Sequence, residues 1–183
     1  MSKEELRKTI LQQRLALTSV LAHEKSQKIQ KAVLASPEWS KAQKIGLYNF
    51  VKNEVETTLL FMTGLEQSKN IYYPKVEQGL HFYEVSGPED LQKGAWAILE
   101  PKDHCKALGA GEKLDLVIVP GVVFDKSCNR IGYGKGFYDN VLKEFAGASI
   151  ALAYDFQVVD SIEADVWDVR LNKIITDAGE FTP

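Results

Sequence analysis

Apolar residues return at helical spacing through the first part of the chain. Leu6, Ile10, Leu17 and Leu21 form a stripe with Lys3, Arg7 and Arg14 beside it, as in an amphipathic helix set against a core. Ser2-Lys3-Glu4-Glu5 is a capping box: the Ser2 hydroxyl accepts from an early helical N–H while Glu5 reaches back to the cap. Thr18-Ser19 caps a second helix running to about Leu34, and Ser36-Pro37-Glu38 opens a third, with Ser as cap and Pro at the first helical position. The pattern then changes. Residues 44–50 (KIGLYNF) read as a strand, 56–65 as a helix, and 71–74 and 80–85 as strands. Gly87-Pro88 and Gly109-Ala110-Gly111 mark turns around an irregular middle segment. LDLVIV at 114–119 has the unbroken apolar run of a strand covered on both faces, stopped by Pro120-Gly121, and is the expected centre of a parallel sheet. A glycine-rich decapeptide follows, then a helix through Phe145 and strands at 149–154 and 173–176. This alternation of strand and helix predicts the α/β class. No repeat, low-complexity tract or linker divides the chain, so residues 1–183 are expected to form one domain.

Composition agrees with a globular α/β protein: of 183 residues, 45% are apolar and 26% charged. The formal net charge of −3 argues against a general nucleic-acid or anionic-membrane binder. Charge is unevenly placed, however. Residues 1–31 carry seven basic side chains (Lys3, Arg7, Lys8, Arg14, Lys25, Lys28, Lys31) against three acidic ones (Glu4, Glu5, Glu24). That excess is either a solvated helix face or a surface turned to an anionic ligand. Cys105 and Cys128 lie 23 positions apart with no CxxC, which fits a reducing compartment. No apolar run reaches membrane-spanning length, and the first 13 residues lack the apolar core of a signal peptide, so a cytoplasmic location is expected.

The chemistry is concentrated in Arg130-Ile131-Gly132-Tyr133-Gly134-Lys135-Gly136-Phe137-Tyr138-Asp139. Alternate glycines let a backbone pass close to a ligand and turn its N–H groups inward, and Arg130 and Lys135 add two full charges, so the segment suits phosphate. It is neither a Walker A loop nor a dinucleotide fingerprint, since Phe137 stands where the third glycine of G-x-G-x-x-G belongs. A connection that merely needs φ > 0 is the simpler alternative. Asp139 could hold a magnesium ion that bridges phosphates, or cap the helix. A second carboxylate could come from Asp168, but Asp160, Asp165 and Asp177 rank equally by position. Glu54 and Glu56 follow a strand end, where open α/β sheets place ligand-contacting residues; they could equally be acidic residues in a helix's first turn. His23, His81 and His104 are scattered, and neither G-x-S-x-G nor H-E-x-x-H occurs. His104-Cys105 with Cys128 would give at most three zinc ligands.

These residues together resemble the 5-formyltetrahydrofolate cyclo-ligase (5,10-methenyltetrahydrofolate synthetase) family along nearly the whole chain. The resemblance rests on Lys3-x-x-Leu6-Arg7, Tyr48 with Glu54-Val55-Glu56-Thr57, and Gly94 leading to Glu100-Pro101. It continues in Val119-Pro120-Gly121 with Phe124-Asp125, the decapeptide, and Asp168 followed by Ile174-Ile175-Thr176. Cys128, where the family commonly has glycine, Asn140, where arginine often follows the aspartate, and Trp167, where histidine often precedes Asp168, depart from the usual pattern.

The resemblance implies a three-layer, open, mostly parallel sheet with helices on both faces, of the NagB/RpiA/CoA-transferase-like kind. It implies ATP against Lys3, Glu4, Glu5, Leu6 and Arg7 and against Arg130, Ile131, Gly132, Tyr133, Gly134, Lys135, Gly136, Phe137 and Tyr138. Lys135 and Arg130 would be catalytic, and Asp139 and Asp168 would hold Mg2+. Folate would meet Asn49 and Glu54 and border Tyr133, Gly134, Lys135, Gly136 and Phe137. The implied partners are 5-formyltetrahydrofolate and ATP, with no nucleic acid or membrane and a monomeric enzyme. A sugar-phosphate isomerase on the same fold would need no ATP, and a binding module would release no ADP. The decapeptide together with Lys3 and Arg7 favours the cyclo-ligase over both.

Overall fold

A computed structural model describes residues 1–94 and 98–183; residues 95–97, between Gly94 and Glu100-Pro101, lie outside the described residues. The chain opens with α1 (Lys3–Leu15), α2 (Ser19–Leu34) and α3 (Pro37–Lys41). Each starts at its expected cap: Ser2, Thr18 and Ser36 accept from the N–H three residues on, and Glu5 closes the capping box by accepting from the Ser2 N–H at 2.8 Å. Then follow β1 (Lys44–Gly46), α4 (Thr58–Glu66), β2 (Asn70–Val76), β3 (Leu80–Glu84), β4 (Leu91–Lys93) and β5 (Leu99–Pro101). The remainder is β6 (Leu116–Val119), β7 (Val123–Asp125), β8 (Arg130–Ile131), α5 (Phe137–Lys143), β9 (Ala148–Ala153), β10 (Val158–Val159), β11 (Lys173–Thr176) and β12 (Glu180–Phe181).

Seven strands form one sheet in the order β12-β11-β9-β6-β1-β2-β3, with β6 at its centre. The five inner strands are parallel, and antiparallel β3 and β12 close the two edges. Alternate residues sort the inner strands between two cores, as a period of two requires. Leu116, Ile118, Ile150, Leu152 and Ile175 pack with α2, α3 and α4 on one face. Val117, Val119, Ala151, Ala153 and Ile174 pack with α5 on the other. The expected three-layer α/β architecture is present.

A separate three-stranded sheet, β10-β7-β8, lies beyond the carboxyl end of β6 and carries α1. Its turn is shaped by buried Asp125, which accepts from the N–H groups of Ser127, Asn129 and Ile162. Cys128 adopts φ +64° there, a conformation that glycine takes without strain, so the position would accept the glycine that the resemblance implies.

Three expectations change. The strand expected at 44–50 pairs only over Lys44–Gly46, with one further bond from the Leu47 N–H to Tyr72. The chain then folds on itself, Tyr48 Oη donating to the Val55 carbonyl and Thr57 Oγ1 to the Tyr48 carbonyl, both at 2.8 Å. Leu21, expected on the apolar stripe, is exposed, because α2 buries Ala22, Ile29 and Val33 instead. Within the irregular middle segment, β4 and β5 pair as an antiparallel ribbon.

Helix α4 has no side-chain cap of its own. Gln30, fully buried on α2, supplies one from outside: its Oε1 accepts from the N–H groups of Leu59 at 2.9 Å and Leu60 at 3.3 Å. Gln30→Ala would leave these donors unsatisfied in the core and is expected to cost about 2 kcal/mol of stability, measured by urea unfolding; a loss below about 0.5 kcal/mol would contradict this capping role.

Candidate active site

Parallel strands place their carboxyl ends at one edge, where open α/β sheets bind ligands. Here that edge receives the loop after β1, the Pro120-Gly121 turn after β6 and, across the small sheet, the glycine-rich decapeptide. Helix α1 lies against them. Lys3, Arg7, Ile10 and Arg14 are spaced four, three and four apart, so they share one face. Ile10 is buried among Val122, Val123, Ile131 and Ile162, which turns the three cations inward.

Each cation meets a different part of the edge. Lys3 Nζ bonds Asp165 Oδ2 at 2.5 Å and Asp168 Oδ2 at 2.6 Å. Arg7 Nε donates to the Gly132 carbonyl at 2.9 Å. Arg14, only 1% exposed, donates from Nε to the Lys52 carbonyl at 3.0 Å and through its two terminal nitrogens to the Gly121 carbonyl at 2.9 Å and Tyr133 Oη at 2.5 Å. The basic excess of the first 31 residues is therefore in part an inward face.

In the decapeptide, Ile131 anchors the chain in the small core while Gly134 and Gly136 take φ +91° and +68°, conformations that favour glycine. Lys135 between them is exposed and makes no side-chain hydrogen bond or ion pair among the described residues. Arg130 is 8% exposed and bonds Asp139 Oδ2 at 2.9 Å, with its Nε buried and unpartnered. Its guanidinium carbon also lies 5.9 Å from the Tyr138 ring centroid. Burial pushes the Asp168 carboxyl up, but the bonds from Lys3 and the Asp165 N–H and the charges of Lys3 and Arg130 outweigh it and hold the group below its ordinary value. Among the four aspartates that position alone left equal, Asp165 and Asp168 meet Lys3, whereas Asp160 pairs with Lys126 on the surface and Asp177 with Lys25.

The far end of α1 meets the loop after β1. Glu54, 5% exposed, accepts from the Val51 N–H at 2.9 Å and from Tyr133 Oη at 3.1 Å, and lies 3.8 Å from Arg14. Burial raises its carboxyl, while Arg14, the Val51 N–H, Tyr133 and Lys52 pull it back. Tyr133 itself is pushed up to about 12, first by burial and then by the Glu54 charge, so its hydroxyl stays a donor. Asn49 is half-buried and donates from Nδ2 to the Leu99 carbonyl at 2.6 Å. Phe50 is exposed beside Asn49, as is Leu99, giving this end an apolar rim.

Other nominated residues sit further back. Leu6 packs with the small core, Glu5 serves the cap and Glu4 is exposed. Tyr48 is buried in the main core, and Phe137 is half-buried at the start of α5. Cys128, its thiol against the Phe181 carbonyl, is not part of the His104-Cys105 group. Asp90 joins that group instead, and burial with the Asp90 charge pushes the Cys105 thiol up. A cavity of about 550 Å3 lined by Glu38, Lys41, Leu114, Asp115 and Gly147 lies at the amino ends of the strands, the opposite edge. Arg14, which the sequence places beside the apolar stripe and not among the candidate contacts, joins the site in the fold, as its four-three-four spacing with Lys3, Arg7 and Ile10 allows.

Comparison with known proteins identifies the family. Residues 1–177 match the model of the 5-formyltetrahydrofolate cyclo-ligase family. The 5-formyltetrahydrofolate cyclo-ligase of Haemophilus influenzae is 30% identical over 180 residues, covering 94% of this chain and 96% of its own. Among solved structures, the 5,10-methenyltetrahydrofolate synthetase of Aquifex aeolicus superposes with a TM-score of 0.89 at 35% identity, over 100% of this chain and 93% of its own. The synthetase of Mycoplasma pneumoniae gives 0.79 at 31% identity, over 97% and 99%.

The contacts of Lys3 yield a pH signature. Because the Asp168 carboxyl is lowered in the fold, its pairing stabilises above the unfolded value near 3.9 and is lost as pH falls through the folded value. Lys3→Met is expected to be less stable than wild type by up to about 1 kcal/mol at pH 7, the range of a partly exposed pair, with the gap shrinking as pH is lowered below the unfolded carboxylate value. Urea unfolding of both proteins across an acid pH series checks this; a gap that stays constant down to the acid transition would contradict it.

Proposed function

Because the chain belongs to the 5-formyltetrahydrofolate cyclo-ligase family, we propose that it closes 5-formyltetrahydrofolate to 5,10-methenyltetrahydrofolate using MgATP, releasing ADP and phosphate. The observation that supports this most is the convergence of α1 and the decapeptide at one edge. Lys3 meets Asp168, Arg7 meets Gly132 and Arg130 meets Asp139, with the Asn49 and Glu54 loop at the other end of the same helix.

A formyl oxygen is a poor leaving group. In the proposed reaction it attacks the γ-phosphorus and ADP leaves; the 10-nitrogen then attacks the activated formyl carbon, gives up its proton and expels phosphate. No covalent bond to the protein is needed, so catalysis comes from alignment and from cancelling charge on the transferring group. Arg130, Lys135 and the loop N–H groups suit that task, with Lys3 and Arg7 closing over the triphosphate. Arg130 Nε, buried without a partner, is a donor that a phosphate oxygen would satisfy. Two carboxylates among phosphates form a hard oxygen donor set that fits Mg2+. Asp139 and Asp168 would hold the ion, which when bound neutralises charge across the β- and γ-phosphates. Asn49 and Glu54 would meet the folate, and the exposed ring of Tyr133 suits a flat heterocycle. All these groups come from one chain, so a monomer suffices, and the acidic net charge fits small-molecule partners in a cytoplasmic setting.

The test is near-ultraviolet absorbance of the methenyl product from purified protein, 5-formyltetrahydrofolate, ATP and Mg2+, with each omitted in turn. Growth only in the complete mixture is expected; growth without ATP would reject the proposal. In the same assay Lys135→Met should lower turnover by at least about tenfold, equivalent to roughly 1.4 kcal/mol of transition-state stabilisation, and unchanged kinetics would remove Lys135 from the mechanism. Asp139→Asn should raise the Mg2+ concentration needed for half-maximal rate, and an unchanged Mg2+ titration would refute the metal assignment.

A further inference from the structure

We propose that Arg14 is a positioning residue for the folate end of the site, holding the Glu54 carboxylate and the Tyr133 hydroxyl where they meet the substrate. The inference rests on the reading of Asn49 and Glu54 as folate contacts. At 1% exposure Arg14 does not itself reach a ligand. It acts through what it touches: the Lys52 carbonyl in the loop after β1, the Gly121 carbonyl in the turn after β6, and Tyr133 Oη in the decapeptide. Three connections, at residues 52, 121 and 133, thus end on one guanidinium.

The arrangement is ordered. Tyr133 Oη accepts from Arg14 and donates to Glu54 Oε1, so the hydroxyl passes the orientation of the arginine to the carboxylate. Glu54 is also the acidic group near this buried cation, at 3.8 Å. A buried charge without a counter-ion is strongly unfavourable, so Arg14 and Glu54 fix each other. Arginine suits the position because its planar fork donates in several fixed directions, whereas lysine offers a single compact charge. Two helical turns earlier, Arg7 binds the carbonyl of Gly132, the residue before Tyr133. Helix α1 therefore grips consecutive residues of the decapeptide from its phosphate side and its folate side.

The experiment compares wild type, Arg14→Met, Arg14→Lys and Tyr133→Phe. Calorimetry gives Kd for 5-formyltetrahydrofolate and for a non-hydrolysable ATP analogue, steady-state kinetics give kcat and both KM values, and thermal melts monitor folding. Arg14→Met is expected to weaken folate binding and raise folate KM by at least about tenfold, with the ATP analogue within about threefold. Arg14→Lys and Tyr133→Phe should each weaken folate binding by about threefold or more, since one keeps charge without the fork and the other removes the relaying hydroxyl. Should Arg14→Met fail to fold, these two variants decide the matter. Folate Kd within about twofold of wild type in a folded Arg14→Lys and Tyr133→Phe would overturn the proposal, as would parallel losses for folate and nucleotide. Wild-type protein that binds folate without converting it would defeat the cyclisation reading, while the Kd comparison would still decide the role of Arg14.

Discussion

The rotation of α1 about its own axis is the constraint on which the site depends. Ile10 sets it, by entering the small core formed by Val122, Val123, Ile131 and Ile162. With that side chain inward, residues one helical turn away on either side must follow. Arg7 then meets Gly132, Arg14 enters the edge of the sheet, and Lys3 reaches Asp165 and Asp168. A helix turned by a quarter would present Glu4, Lys8 and Leu11 instead, and the same sequence would display a solvated basic face. The small sheet is therefore more than a decoration of the main one, since its apolar surface orients the cations.

The main sheet contributes by ending. Its parallel strands stop at one edge, and Gly121 follows β6 so closely that a β-carbon there would fall 2.4 Å from the Phe124 ring. That close approach turns the chain into β7 and leaves the Gly121 carbonyl facing Arg14. The position of the site thus follows from the order of strands, and its chemistry from residues on three connections.

Much of this was legible in the sequence, for physical reasons that also mark the limits. Helix caps are local, so Ser2, Thr18 and Ser36 announce their helices within four residues. A strand covered on both faces needs an unbroken apolar run, and β6 shows one. Two-residue strands such as β8 and β10 have no such period: Arg130 and Ile131 read as part of a loop because nothing local requires their pairing with β7. The partners of Arg14 are hidden from local sequence for a related reason. Its neighbours along the helix resemble those of a solvent-facing arginine, and its acceptors stand 38, 107 and 119 positions away. Conversely, position alone leaves Asp168 level with Asp160 and Asp177, and only the resemblance selects it, because the ion pair that Lys3 makes with it in the fold carries no short-range signal.

The loop after β1 shows how a buried carboxylate is held in place. Lys52 and Asn53 both adopt left-handed conformations, at φ 51° and 55°, which cost about 1 kcal/mol or more for the lysine and less for asparagine, whose short polar side chain tolerates them. The offset comes from α1. Asn53 Nδ2 donates to the carbonyls of Arg14 at 3.1 Å and Leu17 at 3.0 Å, adding to the bond that the Leu17 N–H makes to Arg14 in the turn that ends α1. Arg14 returns a bond to the Lys52 carbonyl. Glu54 then closes the loop on itself, its N–H donating to the Val51 carbonyl and its carboxylate accepting from the Val51 N–H. Strain in the loop is balanced by these bonds to the turn that ends α1 and by a buried cation that needed acceptors. The outcome is a carboxylate fixed beside Tyr133, at the far end of the helix from Lys3 and Asp168.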